Sequence, residues 1–344
     1  MKKKIFIAIA AVLLLSVLLF ALQALLVPKY VRNPEGLLTG LYYDSSLDHD
    51  VVVVGDCEVY ESIIPSVLWE KYGIRSYVRG GAQQLAWHSY CLLEETFRYE
   101  TPKVVVFNVY ALKYGTPQSE AYNRMTFDTM KWSSAKFDGI RNSMTADESI
   151  VDYIFPILRY HSRITDLKKE DLKYWFSSPE VATDNGYLIK TGVVPMPESD
   201  PIDTPPEELL PESSMEYLEK MRQLCDENGS ELVLIKAPTN SRGYWWYDEW
   251  EEQITEYAEK HSLAYYNFIP LADEIGIDWQ TDTYDGGLHL NVYGSEKFTE
   301  YLGNILVKNH GLESDKNDGQ IAKVWNGYLE EYQSKKKQME ETDQ

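Results

Sequence analysis

The stretch Val51-Val52-Val53-Val54-Gly55-Asp56-Cys57-Glu58 decides the fold. Four consecutive β-branched residues leave no polar face, which suits a strand covered on both sides, as in the middle of a parallel sheet. Gly55-Asp56 ends the run, and residues 62–72 have helical spacing. Outward from there the theme repeats: a short strand at 76–78, a helix over 83–98, and, after Pro102, the apolar strand Lys103-Val104-Val105-Val106-Phe107-Asn108. Further on, a helix over 214–227 stops at Asn228-Gly229, and Glu231-Leu232-Val233-Leu234-Ile235-Lys236 is another buried strand. A helix over 250–261, a short strand at 264–268 and a last core helix over 293–307 follow. This alternation predicts an α/β fold with a doubly wound parallel sheet. Ligands of such sheets lie beyond the carboxyl ends of the strands. Asp56-Cys57, Asn108 and the chain after Lys236 are therefore candidate site positions.

The rhythm lapses over about 112–211, which ends in a stretch rich in Pro, Glu and Asp at 195–211. This segment reads as an insertion that packs over one sheet edge or over the site, within a domain spanning 51–315. Residues 316–344 form a charged tail with Ser334-Lys335-Lys336-Lys337, expected as a solvated helix that frays into disorder.

The other end carries a different signal. Lys2, Lys3 and Lys4 precede an apolar run over 5–27 interrupted only by Ser16 and Gln23. As a helix the run is about 35 Å long, enough to cross a hydrocarbon layer of ~30 Å. The basic residues predict a cytoplasmic N-terminus over 1–4 and an extracytoplasmic main domain. A cleaved signal peptide is the rival, but its apolar core is usually about 7–15 residues long. With Leu22 and Gln23 before Ala24, the run also lacks a small-x-small cleavage site. A single-pass cell-membrane anchor is the expectation, followed by a juxtamembrane linker at 28–50 with Tyr30, Tyr42 and Tyr43 at the interface.

Composition narrows the function. The chain has 344 residues, is 44% hydrophobic and carries a formal charge of −21. It is not wholly disordered, and its bulk field repels phosphates, so nucleic acid is not an expected partner. Three cysteines, Cys57, Cys91 and Cys225, are too few for a disulfide framework. No zinc-ligand or nucleotide-loop motif occurs, so neither a metal nor a cofactor is expected.

Two places carry chemistry. Cys57 emerges where a strand turns into a helix, near N–H groups that favour an anion, although cysteine is also among the most often buried and inert residue types. Asp282-Thr283-Tyr284-Asp285-Gly286-Gly287-Leu288-His289-Leu290-Asn291 places a histidine four residues after an aspartate and just before the last helix. That loop can hold a general base and its orienting carboxylate, or simply a histidine beside a glycine turn. The remaining histidines, His49, His88, His161, His261 and His310, sit where surface or helix positions are expected.

Taken together, these blocks resemble the SGNH (GDSL-type) hydrolases and acyltransferases. Gly55-Asp56-Cys57-Glu58 is similar to the Gly-Asp-Ser nucleophile block, with cysteine in place of serine. Gly80-Gly81 resembles the second block, Asn108 the oxyanion-hole asparagine, and Asp285 with His289 the closing pair. Three departures stand out: the cysteine, the third block Phe107-Asn108-Val109-Tyr110, and one extra residue between Asp285 and His289. The last leaves Asp282 as a substitute for Asp285. The anchored form is similar to alginate-type O-acetyltransferases and D-alanyl-transfer proteins of the DltD type.

The resemblance implies that Cys57 attacks an acyl carbonyl while His289, held by Asp285 or Asp282, manages the proton. The N–H groups of Cys57 and Gly81 and the Asn108 side chain would hold the oxyanion. A thiol of pKa ~8.5 needs help to ionise, and lowering it by about 2 units takes roughly 2.7 kcal/mol. The implied substrate is a cell-envelope glycan or polymer, with a membrane acyl-donor protein as a partner. Tyr244-Trp245-Trp246-Tyr247 and Trp250 are candidate sugar-stacking residues as well as ordinary packing. The alternative function is an inactive member that keeps the fold as an envelope binding or assembly protein.

Overall fold

The computed structural model describes residues 2–28, 34–175, 177, 181–197, 209–240, 246–312 and 314–343. They form a mixed α/β structure in two compact units. One comprises Met1–Pro34 with Met144–Val181, the other Glu35–Ser143 with Ala182–Gln344. The segment 112–211 therefore does not act as one insertion, since its middle belongs with the N-terminal helix.

The larger unit is built on a five-stranded parallel sheet. Its strands are β1 (Val51–Gly55), β2 (Ser76–Gly80), β3 (Val104–Asn108), β6 (Glu231–Lys236) and β7 (Ala264–Asn267), in the order β2-β1-β3-β6-β7. Between them in sequence, β4 (Thr183–Asp184) and β5 (Tyr187–Leu188) make a small antiparallel hairpin. Every residue of β1 and β3 is buried, as the valine runs require: each face needs a helical layer. One face, through Val52, Val54, Val105, Phe107, Leu232 and Leu234, meets Leu218, Met221 and Cys225 of the helix Glu212–Asn228 and Ile254 and Ala258 of Asp248–His261. These helical residues recur every three or four positions, which is one stripe of a helix. Each apolar side chain so buried contributes about 1.5–3 kcal/mol.

The chain leaves β1 for β2 on one side and then crosses to β3 on the other. The strand order reverses between the carboxyl ends of β1 and β3, the place where doubly wound sheets bind ligands. Gly55 lets the two ends close up: a Cβ there would lie 2.9 Å from the Asn108 Cβ. The outer edge of β2 is covered, because the Val78 N–H donates to the carbonyl of Asn185 in the β4–β5 turn. Such cover prevents strand addition.

Two expectations change here. Tyr42 is fully buried, with the Arg79 guanidinium 3.6 Å over its ring and its hydroxyl donating to Glu100. It is a core residue, while Tyr30 lies outside the described residues. The C-terminal segment is a helix, Gly319–Asp343, but one side of it is packed. Trp325 is buried beside Trp69 and Tyr332 donates to Glu296 at 2.8 Å. Two aromatics seven residues apart on one face outweigh the charge that marked it as solvated.

In the smaller unit, the helix Lys2–Leu26 is long and apolar enough to cross a membrane. It is consistent with a single-pass anchor or a signal sequence. Trp175 donates its indole N–H to the Ala21 carbonyl at 2.8 Å, and Arg163 donates to the Leu26 carbonyl.

Candidate active site at the carboxyl ends of β1 and β3

Asp56 ends β1 with extended backbone and caps the single helical turn Cys57–Tyr60 by accepting the Glu58 N–H. This places Cys57 at the first helical position, 6% exposed. Its thiol lies close enough to the His289 ring for the two to interact electrostatically.

His289 is presented by a loop pinned at its base by an antiparallel bridge between Thr283 and Leu290. Gly286 and Gly287 adopt φ of 79° and 95°, a region that other residues rarely enter. That double turn folds the loop back on itself. It lets Asp285 grip His289 twice, with Oδ1 accepting the backbone N–H at 2.9 Å and Oδ2 lying 2.6 Å from Nδ1. Thr239, beyond β6, donates its hydroxyl to the Leu288 carbonyl at 3.1 Å and so ties the loop to the sheet.

Asp282 does not take this role. It is buried 2.6 Å from the Lys297 ammonium and accepts the Asp278 N–H at 2.8 Å. Its work is to brace the turn before the helix Val292–His310, whose cap is the Asn291 side chain.

A second carboxylate that the sequence reading missed completes the surroundings of the ring. Glu61 Oε2 lies 3.3 Å from His289 Nδ1, and Glu61 Oε1 accepts the Tyr284 hydroxyl at 2.8 Å. Tyr284 stacks on the ring at 6.1 Å between centroids. One available signal was spacing, since Glu61 follows Cys57 by one helical turn.

Beneath the cysteine lies a buried polar network. The Lys236 ammonium sits 2.6 and 2.8 Å from the two Glu58 oxygens and donates to the Ala237 carbonyl. Asn108 gives its side-chain amide to Asp56 at 3.0 Å and to Glu58 at 2.8 Å, while its carbonyl accepts the Ala237 N–H. Asn108 therefore joins β1 to β6, and its amide is spent on these carboxylates instead of facing an oxyanion. The Gly81 N–H points to the Gly55 carbonyl at 3.4 Å. Two of the three expected oxyanion donors are thus turned toward the protein itself.

The electrostatics follow from burial and charge. Burial, and then the Asp56 carboxylate, push the Cys57 thiol above its ordinary value, against the pull of His289. The depressed thiol expected of an activated nucleophile is not what these surroundings produce. A single helical turn and one imidazole are outweighed by desolvation and nearby carboxylates. Burial lowers His289, but the hydrogen bond to Asp285 and the interactions with Cys57 and Glu61 prevail and hold it well above the ordinary histidine range. Burial raises Glu61 and Asp56, the latter with help from Glu58. Lys113, half-stacked on Tyr110 at 3.9 Å, is lowered by burial and supported by Asp56, Cys57 and Glu58.

Among the described residues no group of three or more His, Cys, Asp or Glu side chains is arranged to hold a metal ion. Trp246 is buried in the core and Trp250 packs on it at 5.4 Å, which is ordinary packing; Tyr244 and Trp245 lie outside the described residues. The sequence matches no protein-family model, and no curated protein is significantly similar to it.

Proposed function

We propose that the chain is an SGNH-like acyl-transfer protein in which Cys57 is the nucleophile, His289 the proton carrier and Asp285 the residue that orients it. One observation carries this reading: Cys57, His289 and Asp285, from opposite ends of the domain, are neighbours at the strand-order reversal. With Nδ1 committed to carboxylates, Nε2 is the nitrogen left to exchange a proton with the thiol. The sulfur attacks an acyl carbonyl as its proton passes to His289, forming a C–S bond. The donor's C–O bond breaks and its oxygen leaves with that proton. An acceptor hydroxyl then attacks the thioester, giving its proton to His289, and the thiol is regenerated. Asp285 and Glu61 stabilise the imidazolium that forms when the thiol proton passes to His289. The Gly81 N–H, on its long bond to Gly55, is the donor that a developing oxyanion could recruit at least cost.

Anchoring through 5–27, with the domain outside the cytoplasm, makes envelope glycans and polymers the accessible acceptors. Asp56, Glu58, Glu61 and Asp285 outnumber the cations Lys113 and Lys236 around the thiol. A neutral sugar hydroxyl therefore suits the site better than a polyanion. A membrane acyl-donor protein is the matching source of the acyl group. Protease added outside intact, wall-free cells should digest the domain; mature protein beginning near residue 25 in the medium would refute the tether.

The commitment of Asn108 favours a second reading, an envelope binding or assembly protein that keeps the fold without turnover. One experiment separates the two. The full chain in detergent micelles is exposed to p-nitrophenyl acetate, and its peptides are mapped by mass spectrometry. Acetylation at Cys57 that disappears in Cys57→Ala and slows in His289→Ala supports acyl transfer. A folded chain that stays unacylated at Cys57 supports the binding role.

A further inference from the structure

We infer that residues 150–175 form a collar embedded in the membrane interface, with Val151, Ile154, Phe155, Leu158, Ile164 and Leu172 facing lipid. The inference rests on reading Lys2–Leu26 as an anchor, and adds to it a second element in contact with the bilayer.

Length is the first argument. Residues 5–20 of the N-terminal helix are exposed, whereas 21–26 are covered. At 1.5 Å per residue, the sixteen bare residues span about 24 Å, against the ~30 Å of a hydrocarbon core. The missing ~6 Å falls within the covered part. What covers it is this collar: Trp175 bonds the Ala21 carbonyl and Arg163 the Leu26 carbonyl. The residues around those two contacts therefore lie at the depth where hydrocarbon gives way to headgroups.

The collar's surface is the second argument. Val151, Ile154, Phe155 and Leu158 follow one another at the spacing of a helical face, along Ile150–Ile154 and Ile157–Tyr160. All are exposed, Phe155 at 54%, and so are Ile164 at 59% and Leu172 at 60%. Among the described residues nothing covers them. Such a patch is costly in water and marks an interaction surface. Its composition fits lipid. Tyr160, Tyr174 and Trp175 are aromatics of the kind found at interfaces. Arg159, Lys168, Lys169 and Lys173 are exposed beside the exposed Asp166 and Glu170, a far more basic balance than that of the strongly acidic chain as a whole. Apolar residues on one face with Lys and Arg beside them describe an interfacial helix, which sinks about 5–10 Å into the headgroup boundary.

The test uses the full chain in lipid vesicles, in a background with Cys57→Ser, Cys91→Ala and Cys225→Ala. Single cysteines at Leu14, Phe155 and Leu172 carry an environment-sensitive fluorophore. Quenching by lipids spin-labelled deep in the acyl chain is read at Leu14, and by shallow-labelled lipids at the other two. Aqueous iodide is the counterpart quencher. We expect loss of emission with lipid quenchers at all three sites and little loss with iodide. If Leu14 is quenched by lipid while Phe155 and Leu172 respond only to iodide, the collar is wrong and the anchor stands. If Leu14 itself responds only to iodide, the anchor reading fails and takes the collar with it.

Discussion

Replacing Lys236 with Met removes one half of the ion pair beneath Cys57 and leaves the other half buried. The Lys236 side chain is 0% exposed and Glu58 2%, with Nζ 2.6 Å from Oε1. After the substitution, the Glu58 carboxylate keeps the Asn108 amide at 2.8 Å but loses its counter-charge. Breaking a buried pair in this way costs about 3–5 kcal/mol, a roughly hundred- to several-thousand-fold fall in the folded-to-unfolded ratio. The double variant Lys236→Met/Glu58→Gln should recover most of the loss. Its amide oxygen still accepts from Asn108, and its NH2 can donate to the Ala237 carbonyl that Lys236 vacates. Urea unfolding of the full chain in micelles, followed by tryptophan fluorescence, measures both. A single-variant cost under about 1 kcal/mol, the value of an exposed pair, would refute the reasoning. So would a double variant as unstable as the two singles summed, because the pair would then not be coupled.

Among the three thiols, Cys57 should react with iodoacetamide first. Burial pushes Cys225 up to about 12 and Cys91 further, and Cys91 Sγ also donates to the Ala135 carbonyl. The Cys57 rate should climb through the alkaline range and drop in His289→Ala; a rate already level at mildly acidic pH would contradict the raised thiol. Asp285→Asn should lower the His289 titration seen by NMR and slow acylation. Asp282→Asn should leave the ring titration in place and cost about 1–3 kcal/mol through lost hydrogen bonds. Asp184, buried and bonded to Ser66, is raised by burial to about 6. Its folded value exceeds the unfolded ~3.9, so its stabilisation is full below about pH 4 and lost as pH rises through about 6. Asp184→Asn should remove that slope and gain up to about 3 kcal/mol at pH 7, read from unfolding at several pH values.

The sheet was legible in the sequence because its signal is local. A run such as Val51 to Val54 can be satisfied only by cover on both faces. Gly229, observed with φ of 71°, marks a helix stop whatever surrounds it. The same holds for the apolar N-terminal helix and for the strand-end positions of Cys57 and Asn108. Pairing between side chains was not legible, because it depends on distances the chain closes only on folding. Glu61 and Tyr284 are 223 residues apart and Glu58 and Lys236 are 178 apart, yet each pair touches. Asp285 and Asp282 are alike in sequence. Two left-handed glycines and a lysine 15 residues beyond Asp282 decided which one meets the ring. Asn108 stood where an oxyanion donor belongs, but the carboxylates gathered around it claimed its protons. Position along the chain follows from hydrophobic periodicity, whereas the direction in which a buried polar group points is set by whichever partners the tertiary structure brings within hydrogen-bond reach.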